Sequence, residues 1–415
     1  MITRLNRIRL GFDVAPKSSG PGRYLTAIVD SIDPEEFEVV VFGSPVLPDD
    51  KPHVRYLTPR TETVRAIPAL TAHGGPNVER SGQADRGRRW RVPVPRMLPL
   101  WAGFHRNAHR MSRRIRTEHI DIFHAQNTGC EESPVAARRA RGPCVLGTFH
   151  VDGTYKLVPE HSSLRYRALE FYSSRCLHRA IAVSEATRQF WIARTGIRED
   201  RVVTIHNGVN PEKIRRRMSQ RKARLRLGLP EQGRTILGSV GRLDIAKGFT
   251  ELIDAVAVLR DQHPEVLLVI AGAGPLESQL TRQVEANGLK NSVRLLGYCD
   301  DVGLVYDALD VFVLSSRCDA MPFALLEAMA HALPAIGTTV GGVPEIITAE
   351  ATGFLTPPRD SAALAAAILP MLSSHELRQR LGEAGRERII RHFNEADMVR
   401  RTLDVYRDLH TVQNS

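Results

Sequence analysis

The sequence predicts an α/β protein of two domains. Short apolar runs, such as Val311 to Leu314, alternate with stretches rich in Ala, Leu, Met and Glu, which favour helix. This order of strand, loop, helix and strand recurs along the chain. At 415 residues the chain is long for one domain, so two domains are the better expectation. A hydrophobic content of 42% and a charged content of 25% are typical of a globular protein with a sizeable core.

Composition excludes several classes of protein. No segment approaches 18 consecutive apolar residues, so we expect no transmembrane helix. The first residues, MITRLNRIRLGFDV, lack the apolar core of a secretory signal. The cysteines form no CxxC pair, which argues against disulfides and structural zinc and favours a reducing cytoplasm. They are Cys130, Cys144, Cys176, Cys299 and Cys318.

The net charge of +11 predicts an anionic partner, such as a nucleotide, a charged glycan, a membrane surface or nucleic acid. Phe104 to Ile115 has apolar residues at helical spacing with arginines around them, which predicts a basic amphipathic helix able to lie on an anionic bilayer. An ordinary domain helix with a solvated basic face is the alternative. The preceding stretch, residues 49–100, shows little periodicity, and within it the segment HGGPNVERSGQADRGRRWRVPVP, residues 73–95, predicts a loop.

The stretch from 310 to 347 organises the second half of the chain. A buried strand is followed by a polar turn that ends at Asp319, and Pro322 then stands where a helix would begin. That helix carries Glu327, and a second strand leads into the turn at Gly341 and Gly342. A helix N-terminus facing an acid-bearing loop can hold phosphates and hydroxyls. Taken alone, a capping Asp and a solvated helix Glu are the better interpretation.

Other loops predict anion sites. In GRLDIAKGF, Arg242 and Lys247 precede a helix, and two cations in such a glycine-flanked loop suit a diphosphate; ordinary surface cations are the alternative. Near the N-terminus, a loop ending in Gly20-Pro21-Gly22 lies between a strand and a helix that we expect to begin at Arg23.

Histidines follow two of the predicted strands. His124 and His150 each stand at the carboxyl end of a strand, where open α/β sheets bind ligands. A satisfied structural histidine is an equally good interpretation of either.

Two further segments give weaker signals. GAGPLE has Glu277 where a dinucleotide fingerprint needs its third glycine, so we expect a turn packed close to the helix. The basic segment from Lys213 to Arg226 predicts a solvated helix beside a hinge. Nucleic-acid binding is its alternative, but no aromatic residues are interleaved for stacking.

The motifs together resemble glycosyltransferase family 4. The features that carry the resemblance are an acid separated from Glu327 by seven intervening residues, the Ala-Met-Ala that comes next, the GGVPE turn and the nonamer GRLDIAKGF. The resemblance implies the GT-B fold, in which two Rossmann-like domains face each other across a cleft and a C-terminal helix crosses back. We therefore expect an acceptor domain at 1–209, completed by 396–415, and a donor domain at 210–395. Asp319 stands where the family usually has Glu.

The resemblance also implies the roles of individual residues. Glu327 would hold the ribose of a nucleotide sugar, Asp319 the transferred sugar, and His150 would border the reacting sugar and the acceptor. Arg242 and Lys247 would neutralise the leaving diphosphate, so these two cations, with His150 and Asp319, form the predicted catalytic set. The predicted donor-binding set is Gly22, Arg242, Lys247, Leu295, Asp319, Phe323, Ala324 and Glu327.

The predicted reaction is transfer of a sugar, with retention, from a UDP- or GDP-linked donor to an acceptor hydroxyl in cell-surface polysaccharide or glycolipid synthesis. No two Asp residues are separated by a single residue, so the DxD metal-binding motif is absent. We therefore expect neither a metal nor another cofactor. The protein would be cytoplasmic, with possible peripheral contact with an anionic membrane and no nucleic-acid partner.

Four other functions stay open beside this one. They are an NAD oxidoreductase, a basic binding protein without catalysis, a phosphorylase of the same fold, and a Ser-His-Asp hydrolase. The broken glycine fingerprint argues against the first. The last has only His73-Gly74-Gly75 in its favour and lacks a GxSxG elbow.

Overall fold

A computed structural model describes residues 7–13, 20–42, 54–57, 98–126, 132–151 and 164–414. Within these residues the chain forms two parallel sheets with helices around them. The first sheet has the strand order β3-β2-β1-β4-β5-β6-β7, and the second has the order β10-β9-β8-β11-β12-β13. The predicted α/β class with two sheet-centred units is confirmed.

The first sheet and its helices come from the N-terminal half of the chain. Its strands are β1 (Ile8–Asp13), β2 (Phe37–Phe42), β3 (Val54–Leu57), β4 (Ile122–Ala125), β5 (Cys144–Phe149), β6 (Arg179–Ala182) and β7 (Val202–Thr204). Its helices are α1 (Gly20–Ser31), α2 (Leu98–Thr117), α3 (Glu132–Ala140), α4 (Leu164–Ser174) and α5 (Glu185–Thr195).

The second sheet is built from the remaining strands. They are β8 (Thr235–Val240), β9 (Val266–Ala271), β10 (Val293–Gly297), β11 (Val311–Leu314), β12 (Ala335–Thr338) and β13 (Gly353–Thr356). The helices after the first unit are α6 (Gln220–Arg226), α7 (Phe249–Leu259), α8 (Glu277–Ala286), α9 (Val302–Ala308), α10 (Phe323–Ala330), α11 (Val343–Ile346), α12 (Ser361–Ser373), α13 (His375–His392) and α14 (Glu395–Asn414).

Local chemistry explains where these elements begin and end. Every residue of β9 is buried, as expected of a central parallel strand covered by helices on both faces. The Ser184 side chain accepts from the backbone N–H of Thr187 at the start of α5, and Gly196 ends that helix in the left-handed conformation, with φ of 66°.

The last helix, α14, returns to the first unit. Backbone bonds join Val209 to Phe393 and Glu395, at 2.9 and 3.0 Å, where the chain crosses. Tyr406 of α14 is fully buried among core residues of the first sheet. The domain boundaries at 209 and 395 stay a prediction.

The predicted loop at 73–95, which includes His73, lies outside the described part of the chain; of the stretch 49–100, the structure describes β3 and the start of α2. Two other predictions about local structure were wrong. The helix α1 begins at Gly20 rather than Arg23, so the predicted glycine loop supplies its first turn. The basic segment is helical only in α6, where Arg224 is buried and binds Asp310 at 2.6 Å.

The amphipathic helix α2 is longer than predicted, and three of its apolar residues pack in the core of the first domain. Phe104, Ala108 and Ile115 are buried in the core. Arginines occupy the outward face. Among the described helices, none combines the length and hydropathy needed to span a bilayer.

Candidate active site

The loop after β8 carries the two predicted phosphate-binding cations. Asp244 accepts from the backbone N–H of Ala246 at 2.9 Å and so caps a short 3₁₀ turn, Ile245–Lys247. Gly248 then takes a left-handed φ of 62°, and a Cβ there would lie 2.1 Å from the Ser315 carbonyl oxygen. The glycine therefore lets this loop pack directly on the segment after β11.

The loop at Gly272 supports the cation loop from behind. Gly272 has φ of 151°, and a Cβ there would lie 1.8 Å from the Gly241 carbonyl oxygen. At Gly274 a Cβ would lie 2.5 Å from the carbonyl oxygen of Leu243. The GAGPLE turn thus packs against the cation loop. It leads directly into α8, where the Glu277 N–H donates to the Gly274 carbonyl at 3.2 Å.

Lys247 and Asp319 form the centre of the site. Lys247 Nζ lies 2.5 Å from Asp319 Oδ2, which also accepts from Ser316 Oγ at 3.2 Å. Their side chains are 25% and 13% exposed, so the pair is reachable from solvent. Burial lowers the pKa of Lys247, but the charge and hydrogen bond of Asp319 outweigh this, and the net pKa is raised. The ammonium group is therefore charged.

Arg242 lies in the same loop with more freedom. Its side chain is 63% exposed and its Nε lies 3.1 Å from Asp244 Oδ2. An exposed guanidinium can change partner at little cost. The loop thus offers one fixed and one adjustable cation to an anionic ligand.

Glu327 of α10 has a partner for each carboxylate oxygen. Its Oε2 accepts from the Tyr306 hydroxyl at 2.9 Å, and its Oε1 pairs with Arg23 of α1. Burial, the largest influence, raises the pKa of Glu327, and the Arg23 guanidinium opposes that rise. A carboxylate with two good acceptor oxygens at the cleft can clasp a pair of hydroxyls.

The other predicted donor residues occupy three places. Phe323 and Ala324 open α10; the Arg23 guanidinium lies 5.9 Å from the Phe323 ring, and the Ala324 carbonyl accepts from Tyr306 at 3.3 Å. Gly22 is buried in the first turn of α1, whose Gly20 faces Phe323. Leu295 of β10 packs against the core of the second sheet.

The two histidines differ in their surroundings. His124 is fully buried, and both its nitrogens are engaged, Nδ1 with Tyr406 Oη at 2.7 Å and Nε2 with Thr148 Oγ1 at 2.6 Å. It is a satisfied structural histidine. His150 directly follows β5, its ring centroid lies 5.1 Å from that of Tyr24, and burial lowers its pKa to about 3. His150 is therefore neutral near pH 7.

The predicted site residues come from both domains. Arg242, Lys247 and Asp319 lie at one end of the second sheet, and Glu327 of α10 contacts Arg23 of α1. His150 borders the same helix through Tyr24. Sequence reasoning missed Arg23 and Tyr306, because nothing in their spacing marks them as partners of Glu327.

Metal chemistry has no evident centre among the described residues, where no group of three or more His, Cys, Asp or Glu side chains could hold an ion. The charged groups at the site are instead the two cations and two carboxylates named above. Their chemistry suits an anionic ligand that also carries hydroxyls.

Comparisons with known proteins match both halves of the chain. A family model described as glycosyl transferases group 1 matches residues 220–388, and one described as glycosyltransferase family 4 matches residues 18–213. A protein named as a glycosyltransferase, EpsD of Bacillus subtilis, is 33% identical over 72% of this chain and 79% of its own length. The UDP-Gal:α-D-GlcNAc-diphosphoundecaprenol α-1,3-galactosyltransferase of Escherichia coli is 27% identical over 71% of this chain and 77% of its own.

A solved structure shows the same fold over the whole chain. HepE from Anabaena, in complex with UDP, superposes with a TM-score of 0.72 at 20% identity, covering 97% of this chain and 100% of HepE. The predicted GT-B fold is confirmed.

Proposed function

Because the chain belongs to the glycosyl transferases group 1 family, we propose that it moves a sugar from a nucleoside diphosphate sugar to a hydroxyl of a glycan or lipid-linked acceptor. The observation that carries this proposal is the contact of Lys247 with Asp319 at the end of the second sheet. Together with Glu327 of α10, this contact supports a site in which a fixed cation binds a diphosphate and two carboxylates bind sugar hydroxyls.

Each charged group has one task in the reaction. Glu327 accepts hydrogen bonds from the ribose hydroxyls, and Asp319 accepts from hydroxyls of the transferred sugar. Lys247 and Arg242 stabilise the negative charge that develops on the diphosphate as the bond to the anomeric carbon breaks. In this proposal these cations serve the leaving group without a metal ion.

The transfer proceeds with retention. The acceptor hydroxyl attacks the anomeric carbon on the face that the diphosphate leaves, a new C–O bond forms, and the hydroxyl proton passes to the departing phosphate. The products are a glycoside and a nucleoside diphosphate. We name no protein nucleophile, and neutral His150 serves to bind rather than to exchange a proton.

UDP is the proposed nucleotide. HepE was solved with UDP, and the E. coli relative is named for a UDP-linked sugar and a diphosphoundecaprenol acceptor. These two facts support a UDP-sugar donor and a lipid-linked acceptor for this chain.

The outward face of α2 supports contact with an anionic membrane. Its exposed residues include Arg106, Arg110, Arg113 and Arg116. Because Phe104, Ala108 and Ile115 of this helix are buried within the domain, the contact would be electrostatic and peripheral. A lipid-linked acceptor would be reached from that surface.

The test is a transfer assay on the purified protein in the presence of EDTA. The donors are UDP-glucose, UDP-galactose, UDP-N-acetylglucosamine and GDP-mannose, and the acceptor is N-acetylglucosaminyl diphosphate on a short alkyl chain. We expect a glycosylated acceptor from one UDP-sugar, detected by mass spectrometry, and none from the Lys247→Ala variant. The proposal would be contradicted if Lys247→Ala formed as much product as the parent, or if product formed only when a divalent metal was added.

A further inference from the structure

Arg317 is a charged residue to which the reaction scheme above gives no task. It stands two positions before Asp319, in the loop after β11. Its Nε and Nη2 lie 2.8 and 2.7 Å from one oxygen, Oε1 of Glu251 in the first turn of α7. The two side chains are 18% and 11% exposed, so solvent screens this ion pair only weakly. The pair therefore ties the loop that carries Asp319 to the helix that follows the Lys247 loop.

Arg317 also contacts the Lys247 loop through its backbone. Its N–H donates to the Ala246 carbonyl at 2.7 Å. Because its guanidinium binds Glu251, Arg317 is held at both ends of the short segment 246–251. Lys247 lies within this segment. A shift of Arg317 would therefore move the two loops relative to each other.

The form of this ion pair is not the one that stability alone favours. Both guanidinium donors go to one oxygen of Glu251, while its other oxygen, Oε2, is buried and has no hydrogen-bond partner in the described part of the chain. A buried charge without its full set of hydrogen bonds is costly, and apolar side chains of similar volume often stabilise a protein as well or better. The arrangement that the pair imposes on the two loops is therefore the better explanation for it.

We propose that Arg317 and Glu251 are positioning residues of the donor site, and that their ion pair fixes the spacing between Lys247 and Asp319. Lys247 Nζ and Asp319 Oδ2 lie 2.5 Å apart although they belong to different loops. One nucleotide sugar has to reach both groups at once, the cation through its diphosphate and the carboxylate through its sugar hydroxyls. A fixed spacing lowers the entropic cost of that binding. The identity of the ligand rests on the proposed function; the spacing of the two groups does not.

Two variants separate positioning from stability. Arg317→Lys keeps both charges but loses the planar guanidinium, whose two donors hold one geometry. Arg317→Met combined with Glu251→Met removes the ion pair without leaving one charge buried alone, so its melting temperature should stay near that of the parent. The matched control is Arg391→Met with Glu387→Met, which removes an exposed ion pair of the same residue types on α13.

The spacing is measured on the ligand-free protein by carbon-13 NMR titration of labelled lysines, with Lys247→Arg used to assign the signal. Asp319 raises the pKa of Lys247 against the effect of burial, so a looser contact lowers that pKa. We expect a lower pKa of Lys247 in both site variants and the parent value in the control. In Arg317→Lys the shift cannot come from a lost charge. A Lys247 pKa that is the same in all four proteins would overturn the positioning role.

The consequence for the ligand is measured by calorimetry with UDP. Both site variants should bind UDP about tenfold more weakly than the parent and the control do, with the melting temperature of the double variant retained. Unchanged UDP affinity in the site variants would overturn the role in the donor site. A parent that binds no UDP would contradict the proposed function instead, and the lysine titration, which needs no ligand, would still decide whether the ion pair sets the spacing.

Discussion

Arg23, in the first turn of α1, forms an ion pair with Glu327 of α10, so a cation of the first domain meets the proposed ribose-binding carboxylate of the second. The Glu327 side chain is 14% exposed and that of Arg23 is 36% exposed. In the ligand-free protein, the partly exposed cation therefore compensates a carboxylate that is largely buried. Ribose hydroxyls that bind Glu327 have to share it with Arg23 or displace it.

Removing Arg23 should shift the pH at which the donor stops binding. Burial already raises the pKa of Glu327, and Arg23 opposes this rise, so Arg23→Met raises the pKa further. Ribose hydroxyls bind the ionised carboxylate best, and affinity falls as the pH drops through that pKa. We therefore expect the affinity for UDP-glucose to begin falling at a higher pH in Arg23→Met than in the parent.

Calorimetry with UDP-glucose over a range of acidic to neutral pH measures this shift. UDP-glucose suits the purpose because its diphosphate has no proton that titrates in that range. Arg400→Met, on the exposed face of α14, is the control and should follow the parent. Identical pH profiles for Arg23→Met and the parent would show that Arg23 does not influence the binding carboxylate.

The Tyr306 hydroxyl should matter for nucleotide binding as well as for stability. Tyr306→Phe removes the 2.9 Å bond to Glu327, and Tyr406→Phe removes the 2.7 Å bond to His124. Each loses a buried hydrogen bond, so each should lower the free energy of unfolding by about 1–3 kcal/mol. Only Tyr306→Phe should weaken UDP binding, by about fivefold or more, because only Tyr306 orients Glu327. Equal UDP affinities for the two variants would refute this role.

Glu345 of α11 should stabilise the contact between the domains above acidic pH. It accepts from the backbone N–H groups of Glu185 and Ala186, both at 2.9 Å, and from His206 at 2.8 Å. Burial raises its pKa, but these hydrogen bonds outweigh burial and the net pKa lies below 4.5. A lowered carboxylate pKa contributes stability above the unfolded value, and this is lost as the pH falls through the folded value.

Glu345→Gln should therefore cost about 1–2 kcal/mol near pH 7 and progressively less once the pH falls below 4.5. Urea unfolding at several pH values measures the difference. Glu285→Gln, an exposed residue 51% accessible, is the matched control and should be close to neutral. A Glu345→Gln penalty that persisted unchanged in acid would rule out the charged contact.

Gly272 should be intolerant of any side chain. A Cβ there would collide with the Gly241 carbonyl, and φ of 151° disfavours other residues. Gly272→Ala should lower the free energy of unfolding by about 1–3 kcal/mol and weaken UDP binding by displacing the loop that carries Lys247. Gly142→Ala, where a Cβ would meet nothing within 4 Å, should leave both quantities unchanged. Thermal melting and calorimetry decide between these outcomes.

The sequence predicted the second domain better than the first. Strands such as β9 are uniformly apolar, which predicts buried strands. The motif GRLDIAKGF is distinctive and indicates Lys247 as a site residue, and the family resemblance adds Asp319. In the first domain, Gly20-Pro21-Gly22 has the composition of a loop, and packing of α1 against Phe323 makes it helical instead. Local composition could not anticipate that contact.

Contacts between distant segments were also beyond sequence reasoning. Arg23 and Glu327 are far apart in the chain, and only the packing of the two domains against each other brings them together. His124 and His150 look alike in sequence, and the hydrogen bonds of His124 with Tyr406 of the last helix and with Thr148 separate their roles.

The most direct test of the donor site is calorimetric titration of the protein with UDP, GDP, ADP and dTDP in EDTA. Lys247→Ala and Glu327→Ala are measured beside the parent, with Lys290→Ala and Glu285→Ala as exposed controls of the same residue types. We expect one nucleotide, UDP, to bind the parent and both controls, and to bind the two site variants about 10- to 100-fold more weakly. Absence of nucleotide binding by the parent, or equal affinity in all five proteins, would contradict the assignment of the donor site.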